Sequence, residues 1–183
     1  MISAKILARY LIHLTYLIQG HDADITPMKL QKLLYYCQGY SLALIGKPIF
    51  VEPIEAWEYG PVIDSVYQEY RKYKNEIIPE KEAKDFENLD ETVKSIAKFV
   101  VDEKKWLSAY ALSNATHNEF TWKSTFDAEK SFHNDIISNE KMKKFFSEKF
   151  LEWEESKDEE DNFWLSKGKA VSSERLEAAL EDI

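Results

Sequence analysis

The segment "TPMKLQKLLYYCQGYSLALIGKPIFVEPIEAWEYGPVIDSVYQEY", residues 26–70, decides the fold of this chain. It opens on Thr26-Pro27, an oxygen-bearing cap followed by a residue whose missing N–H a first helical turn does not need. A helix is predicted from there to about Leu44, with Gly46 as its stop. Leu30, Leu33, Leu34, Cys37 and Leu44 form an apolar stripe along it. The opposite side carries Gln31, Tyr35, Gln38 and Leu42, with Gly39 beside them. Two readings of that side stand together: a central helix covered on both sides, or a docking face for another protein. Gly39 costs such a helix about 1 kcal/mol relative to Ala, which is tolerable where it lets another backbone come close.

The second half of the segment places Ile49, Phe50, Val51, Ile54 and Trp57 around Pro53. A proline cannot donate to a central ladder, so two short extended segments are expected, forming a small hairpin. Pro61 is expected to restart helix, with Val62, Val66, Tyr70 and Tyr73 on its inner stripe.

Working outward, Ile2, Ile6, Leu7, Tyr10, Leu14, Leu17 and Ile18 predict a first helix over 2–19, broken by "GHDADIT". Residues 74–88 read as loop. Leu89, Val93, Ile96, Ala97 and Val100 predict a further helix, and "WLSAYALSNATH" a shorter one capped by Ser108. Met142, Phe145, Phe146, Phe150 and Trp153 predict a last body helix capped by Ser138, and a short terminal helix is expected over 173–181. The expected fold is mainly α: a compact bundle of five to six helices with a small β-hairpin insertion, over 1–153, and an acidic C-terminal tail with a short helix, over 154–183.

Composition sets the class. A chain of 183 residues with 44% hydrophobic and 14% aromatic side chains buries a sizeable core in one domain. No apolar run approaches the ~18–20 residues that cross a bilayer, so no membrane is expected. A single cysteine, Cys37, forms no internal disulfide and accords with a reducing compartment, so a cytoplasmic location is expected. From Glu152 onward 11 acidic residues face 4 basic ones, a net −7 out of the chain's −9, which leaves −2 for the body. Without clustered Lys and Arg, no nucleic acid is expected as ligand; a basic protein surface suits the tail better.

Catalytic patterns are weak. "HDAD" at 21–24 and "THNEF" around His117 each offer one imidazole and nearby carboxylates, short of a metal-ligand set, and their plainer reading is polar turns. Cys37 lies on an apolar stripe, where a thiol behaves as a small hydrophobe. Neither a phosphate-binding glycine loop nor a nucleophile elbow occurs. The expectation is a protein without enzymatic activity, cofactor or metal.

The segment 26–70 together with "LSNATHNEFTW" at 112–122 resembles the Panacea domain, the SocA-like or GepA (genetic element protein) family, over roughly residues 5–150. The blocks that carry the likeness are Lys29 to Leu34, Glu55 to Pro61 with its Trp-x-x-Gly-Pro pattern, and the Thr116-His117 pair with Trp122. Thr121 departs from the proline usual before that tryptophan. The resemblance implies a helical antitoxin of a prokaryotic or phage toxin–antitoxin system that neutralises a cognate toxin by direct contact, in a homo- or hetero-oligomer. The alternative is an adaptor that delivers a client to a protease. The candidate partner-binding residues are Gln31, Tyr35, Gln38, Leu42, Trp57 and Tyr59, with Phe163, Trp164 and Leu165 of the acidic tail. Gly60, Pro61, His117 and Trp122 are expected to be structural: a chain reversal, a packing histidine and an apolar anchor.

Overall fold

The computed structural model describes residues 1–80, 86, 88–129 and 135–155. Among them seven α-helices run as α1 (Ala4–Gln19), α2 (Pro27–Leu44), α3 (Asp64–Tyr70), α4 (Glu91–Lys104), α5 (Ala109–Asn118), α6 (Phe120–Lys123) and α7 (Asn139–Glu155). A two-stranded antiparallel hairpin, β1 (Glu55–Trp57) and β2 (Gly60–Val62), lies between α2 and α3. No helix among the described residues is long and apolar enough to cross a membrane.

Side-chain caps start α1, α2, α4, α5 and α7, whereas α3 and α6 begin without one. Thr26 accepts from the Lys29 N–H at 3.3 Å, Ser108 from Ala111 at 3.1 Å and Ser138 from Lys141 at 3.3 Å, each satisfying a first-turn donor that has no intrahelical partner. The cap of α1 is shared: Ser3 accepts from Lys5, while Glu52 takes both the Ser3 hydroxyl and the Ala4 N–H at 3.0 Å. A carboxylate at a helix N-terminus is also favoured by the peptide dipoles.

The axis of the fold is α2. Of its residues only Met28 and Ala43 escape full burial, because α1, α3, α4, α5, α7 and β2 all pack against it. The tightest approach is at Gly39, where a Cβ would stand 2.3 Å from the Phe146 ring of α7. Phe146 meets Tyr35, Tyr36 and Tyr40 edge to face, with ring centroids 5.3, 5.9 and 5.1 Å apart. Cys37 is buried in the same core.

The hairpin sits one step later in the chain than expected. Pro61 belongs to β2 and starts no helix; α3 begins at Asp64. Opposite Pro61 in the register is Ala56, which donates its N–H outward to the Asp135 carbonyl at 2.8 Å, so the pair asks for no proline N–H. Ile137 donates to Ile54, extending this edge by a third segment. The Ile49–Val51 stretch is no strand: Gln38 of α2 takes the Ile49 and Phe50 N–H groups and the Phe50 carbonyl, and the Ile49 carbonyl accepts from the Ile2 N–H. At the other end α7 runs to Glu155.

Candidate functional site

Gln31 and Gln38, two turns apart on α2, hold the chain that folds back over it. Gln31 accepts the Ile63 N–H at 2.8 Å and donates to the Ile63 carbonyl at 3.3 Å. Gln38 accepts the N–H groups of Ile49 and Phe50 at 2.9 and 3.3 Å and donates to the Phe50 carbonyl at 3.0 Å. Each carboxamide imitates the backbone of a neighbouring strand. Tyr35 and Leu42 point into the core. With Gln31, Tyr35, Gln38 and Leu42 only 4, 0, 2 and 4% exposed, the docking face read from the sequence is interior. The groups are the right kind for docking, but what they dock is this chain's own loop.

The separated sequence blocks converge on the hairpin turn. Trp122 donates its indole N–H to the Trp57 carbonyl at 2.9 Å, and Ser113 its hydroxyl to the Tyr59 carbonyl at 3.0 Å. The His117 ring lies 4.3 Å from Trp122, which stacks on Phe126 at 4.5 Å. Trp57 meets Tyr67 edge to face at 5.0 Å and donates to Glu55 at 2.7 Å. Gly60 has φ +99°, a conformation side chains resist, and Thr121 occupies the second position of α6, where a proline is also tolerated.

Under this turn opens a cleft of about 510 Å³ between the start of α2, the hairpin and α3. Lys32 forms part of its wall and is only 1% exposed; its ammonium donates to the Pro61 carbonyl at 3.1 Å. Burial lowers this amine to about 7, since a charge removed from water loses its hydration. Burial, and then the Lys32 charge, also push His117 below its ordinary range, against the opposing hydrogen bond to the Glu58 backbone.

A second polar seam runs behind α2. Glu119, at the junction of α5 and α6, accepts from Tyr35 at 2.6 Å, Tyr36 at 3.0 Å and Lys149 at 2.8 Å, and Tyr35 also bonds Thr121. Desolvation first, then this carboxylate, hold both phenols well above their ordinary range. Lys29, as deeply buried as Lys32, has a counter-ion that Lys32 does not find among the described residues: its ammonium pairs with Asp24 and donates to the Lys105 carbonyl at 3.1 Å. Lys32 and Glu119 did not stand out in the sequence, where each looks like one more solvated charge. The available signal was the lack of any continuous polar face on α2, the pattern of a helix buried all round.

Phe163, Trp164 and Leu165 lie outside the described residues. Tyr59 is 62% exposed on the lip of the cleft, and Trp57 is half-buried in its wall.

A helix sheathed on all sides, with a hairpin clamped to it by separated Trp-x-x-Gly-Pro and Thr-His elements, defines a mainly helical domain. The chain matches the antitoxin SocA-like, Panacea domain family over residues 30–123, just over half its length, and belongs to that family. The match runs from α2 to α6 and includes the hairpin, Glu119 and all of the cleft lining except Pro27 and Met28. Antitoxin SocA of Caulobacter vibrioides (strain NA1000 / CB15N) is 43% identical over 47 residues, a span of 26% of this chain and 25% of that protein. No solved structure matches the chain.

Proposed function

We propose that this protein is an antitoxin that neutralises a cognate toxin by stoichiometric protein–protein binding in the cytoplasm, without turning over a substrate. The observation that carries the reading is membership of the SocA-like antitoxin family. The surface supports it. Trp106 is 84%, Tyr110 73% and Tyr59 62% exposed. All three belong to one end of the bundle: Lys105, next to Trp106, accepts from Lys29 in the first turn of α2, and Tyr110 precedes by one turn the Ser113 that holds Tyr59. Exposed aromatics of this density are typical anchors of protein interfaces. The acidic tail, with Phe163, Trp164 and Leu165, adds a second contact suited to a basic, partly apolar partner.

The test is co-expression with the protein encoded by the adjoining gene, followed by pull-down. That protein is expected to be toxic alone, harmless with this chain, and isolated in complex with it. Trp106→Ala with Tyr110→Ala should weaken the complex at least ten-fold, about 1.4 kcal/mol, while exposed positions of this kind leave stability within about 0.5 kcal/mol. Removal of residues 156–183 reads out the tail. Protection without an isolable complex would overturn the reading; an undiminished complex in the double variant would remove this face from it.

A further inference from the structure

The cleft beneath the hairpin turn holds a buried cation that no carboxylate among the described residues approaches within ion-pair distance. A lysine ammonium has three donors, and the Pro61 carbonyl takes one. The space around it is kept by Gly60, where a Cβ would stand 2.7 Å from the amine and 2.8 Å from the Thr116 hydroxyl. On the α5 side, His117 spends one ring nitrogen on the Glu58 backbone; its Nε2 is buried and makes no hydrogen bond among the described residues. Buried polar atoms of folded proteins nearly always have partners, so the ammonium, with two donors unspent by the Pro61 carbonyl, calls for an acceptor; the neutral His117 Nε2 carries a lone pair and becomes a second donor only once the ring takes up a proton. The rim continues the charge: Arg71 and Lys74 line the opening against one acidic side chain, Glu58, while Trp57 and Tyr59 supply ring faces.

We infer that this cleft binds a small organic anion, a carboxylate or phosphate carried on a planar ring, with its charged end toward Lys32 and its ring against Trp57 and Tyr59. The volume of about 510 Å³ lies within the range of roughly 300–1,000 Å³ common to small-molecule sites. An anion beside Lys32 replaces the hydration the amine loses on burial and favours its charged form, so binding draws a proton onto the site. His117, held neutral partly by the Lys32 charge, gains the same incentive. The site stands on the geometry of the cleft and is independent of any toxin.

The experiment uses the full chain with lysine ¹³Cε labels and follows the Lys32 resonance against pH in chloride, in inorganic phosphate and in benzoate at matched ionic strength. The titration midpoint is expected near 7 in chloride and at least one pH unit higher in saturating phosphate or benzoate, a ten-fold preference of the anion for the charged amine. A rise with phosphate alone identifies a phosphate ligand, and with benzoate alone a carboxylate; either supports the site. Lys32→Met should weaken saturable binding of the effective anion at least ten-fold. A midpoint unmoved by both anions, or unchanged binding in the variant, overturns the inference; if Lys32→Met does not fold, the wild-type midpoints decide.

Discussion

Replacing Lys32 with methionine should stabilise the protein near neutral pH and remove a pH dependence. The folded amine titrates at about 7 and the unfolded one at the ordinary 10.5, so between these values the unfolded chain holds more protons. Stability therefore rises as pH rises through that interval, and the penalty for burying the charge is fully present below about 7. From these two values the lysine costs about 4 kcal/mol at pH 7, and stability recovers by about 1 kcal/mol between pH 7 and pH 8. With a urea slope of about 2 kcal/mol/M, that recovery moves the wild-type midpoint upward by roughly 0.5 M. Methionine fills similar volume without charge but leaves the Pro61 carbonyl without its donor, at about 1–3 kcal/mol, so a net gain of about 1–3 kcal/mol is expected at pH 7. Urea denaturation of both proteins in chloride buffer at pH 7, 7.5 and 8 measures the difference. The window stops short of the range where the Cys37 thiol, pushed up by burial, contributes with the opposite sign. His117, lowered in the folded state, acts below it. Lys104 shares the sign of Lys32 but is common to both proteins, so it cancels. An equal pH slope in wild type and Lys32→Met would refute the reasoning.

Two further substitutions test the packing around α2. Gly39→Ala, a change that favours an isolated helix, should instead destabilise by at least about 2 kcal/mol, because its Cβ would meet Phe146 in a ring cluster with no room to yield. Thermal unfolding should show a loss of roughly 6 °C, partly restored by adding Phe146→Leu. Gln38→Ala strips three hydrogen bonds from the buried Ile49–Phe50 backbone, with an expected cost of about 3 kcal/mol. Faster amide exchange at Ile49 and Phe50 than at Ile63, which Gln31 still holds, would locate the loss; uniform acceleration would contradict the clamp.

What could be read before the structure was whatever short-range chemistry determines. The starts of α2, α5 and α7 are written in Thr26, Ser108 and Ser138, whose hydroxyls cap their own helices, and the fold class follows from helical periodicity. The hairpin was misplaced because Pro61 suits a helix start and an edge strand equally; the choice was made by Ala56 donating away from it to Asp135. The inner side of α2 was ambiguous for a deeper reason. A row of Gln, Tyr and Leu shows that a helix binds something, and only the chain's return over that row shows that the something is itself. Lys32 and Glu119 escaped because burial is a property of the neighbours, and one acid among 33 acidic residues carries no mark of its surroundings. Trp57, Gly60, Pro61, His117 and Trp122, which stand in two separated blocks of the chain, meet at one place.

Because α2 spends almost every side chain on its own neighbours, it works as a spindle with the other elements mounted around it. The outward positions of α4, α5 and the hairpin turn can then be exchanged without disturbing the contacts that fix where those elements sit. A scaffold of that kind can be re-dressed for a new partner one exterior residue at a time, while a change on the spindle itself is felt on every side at once.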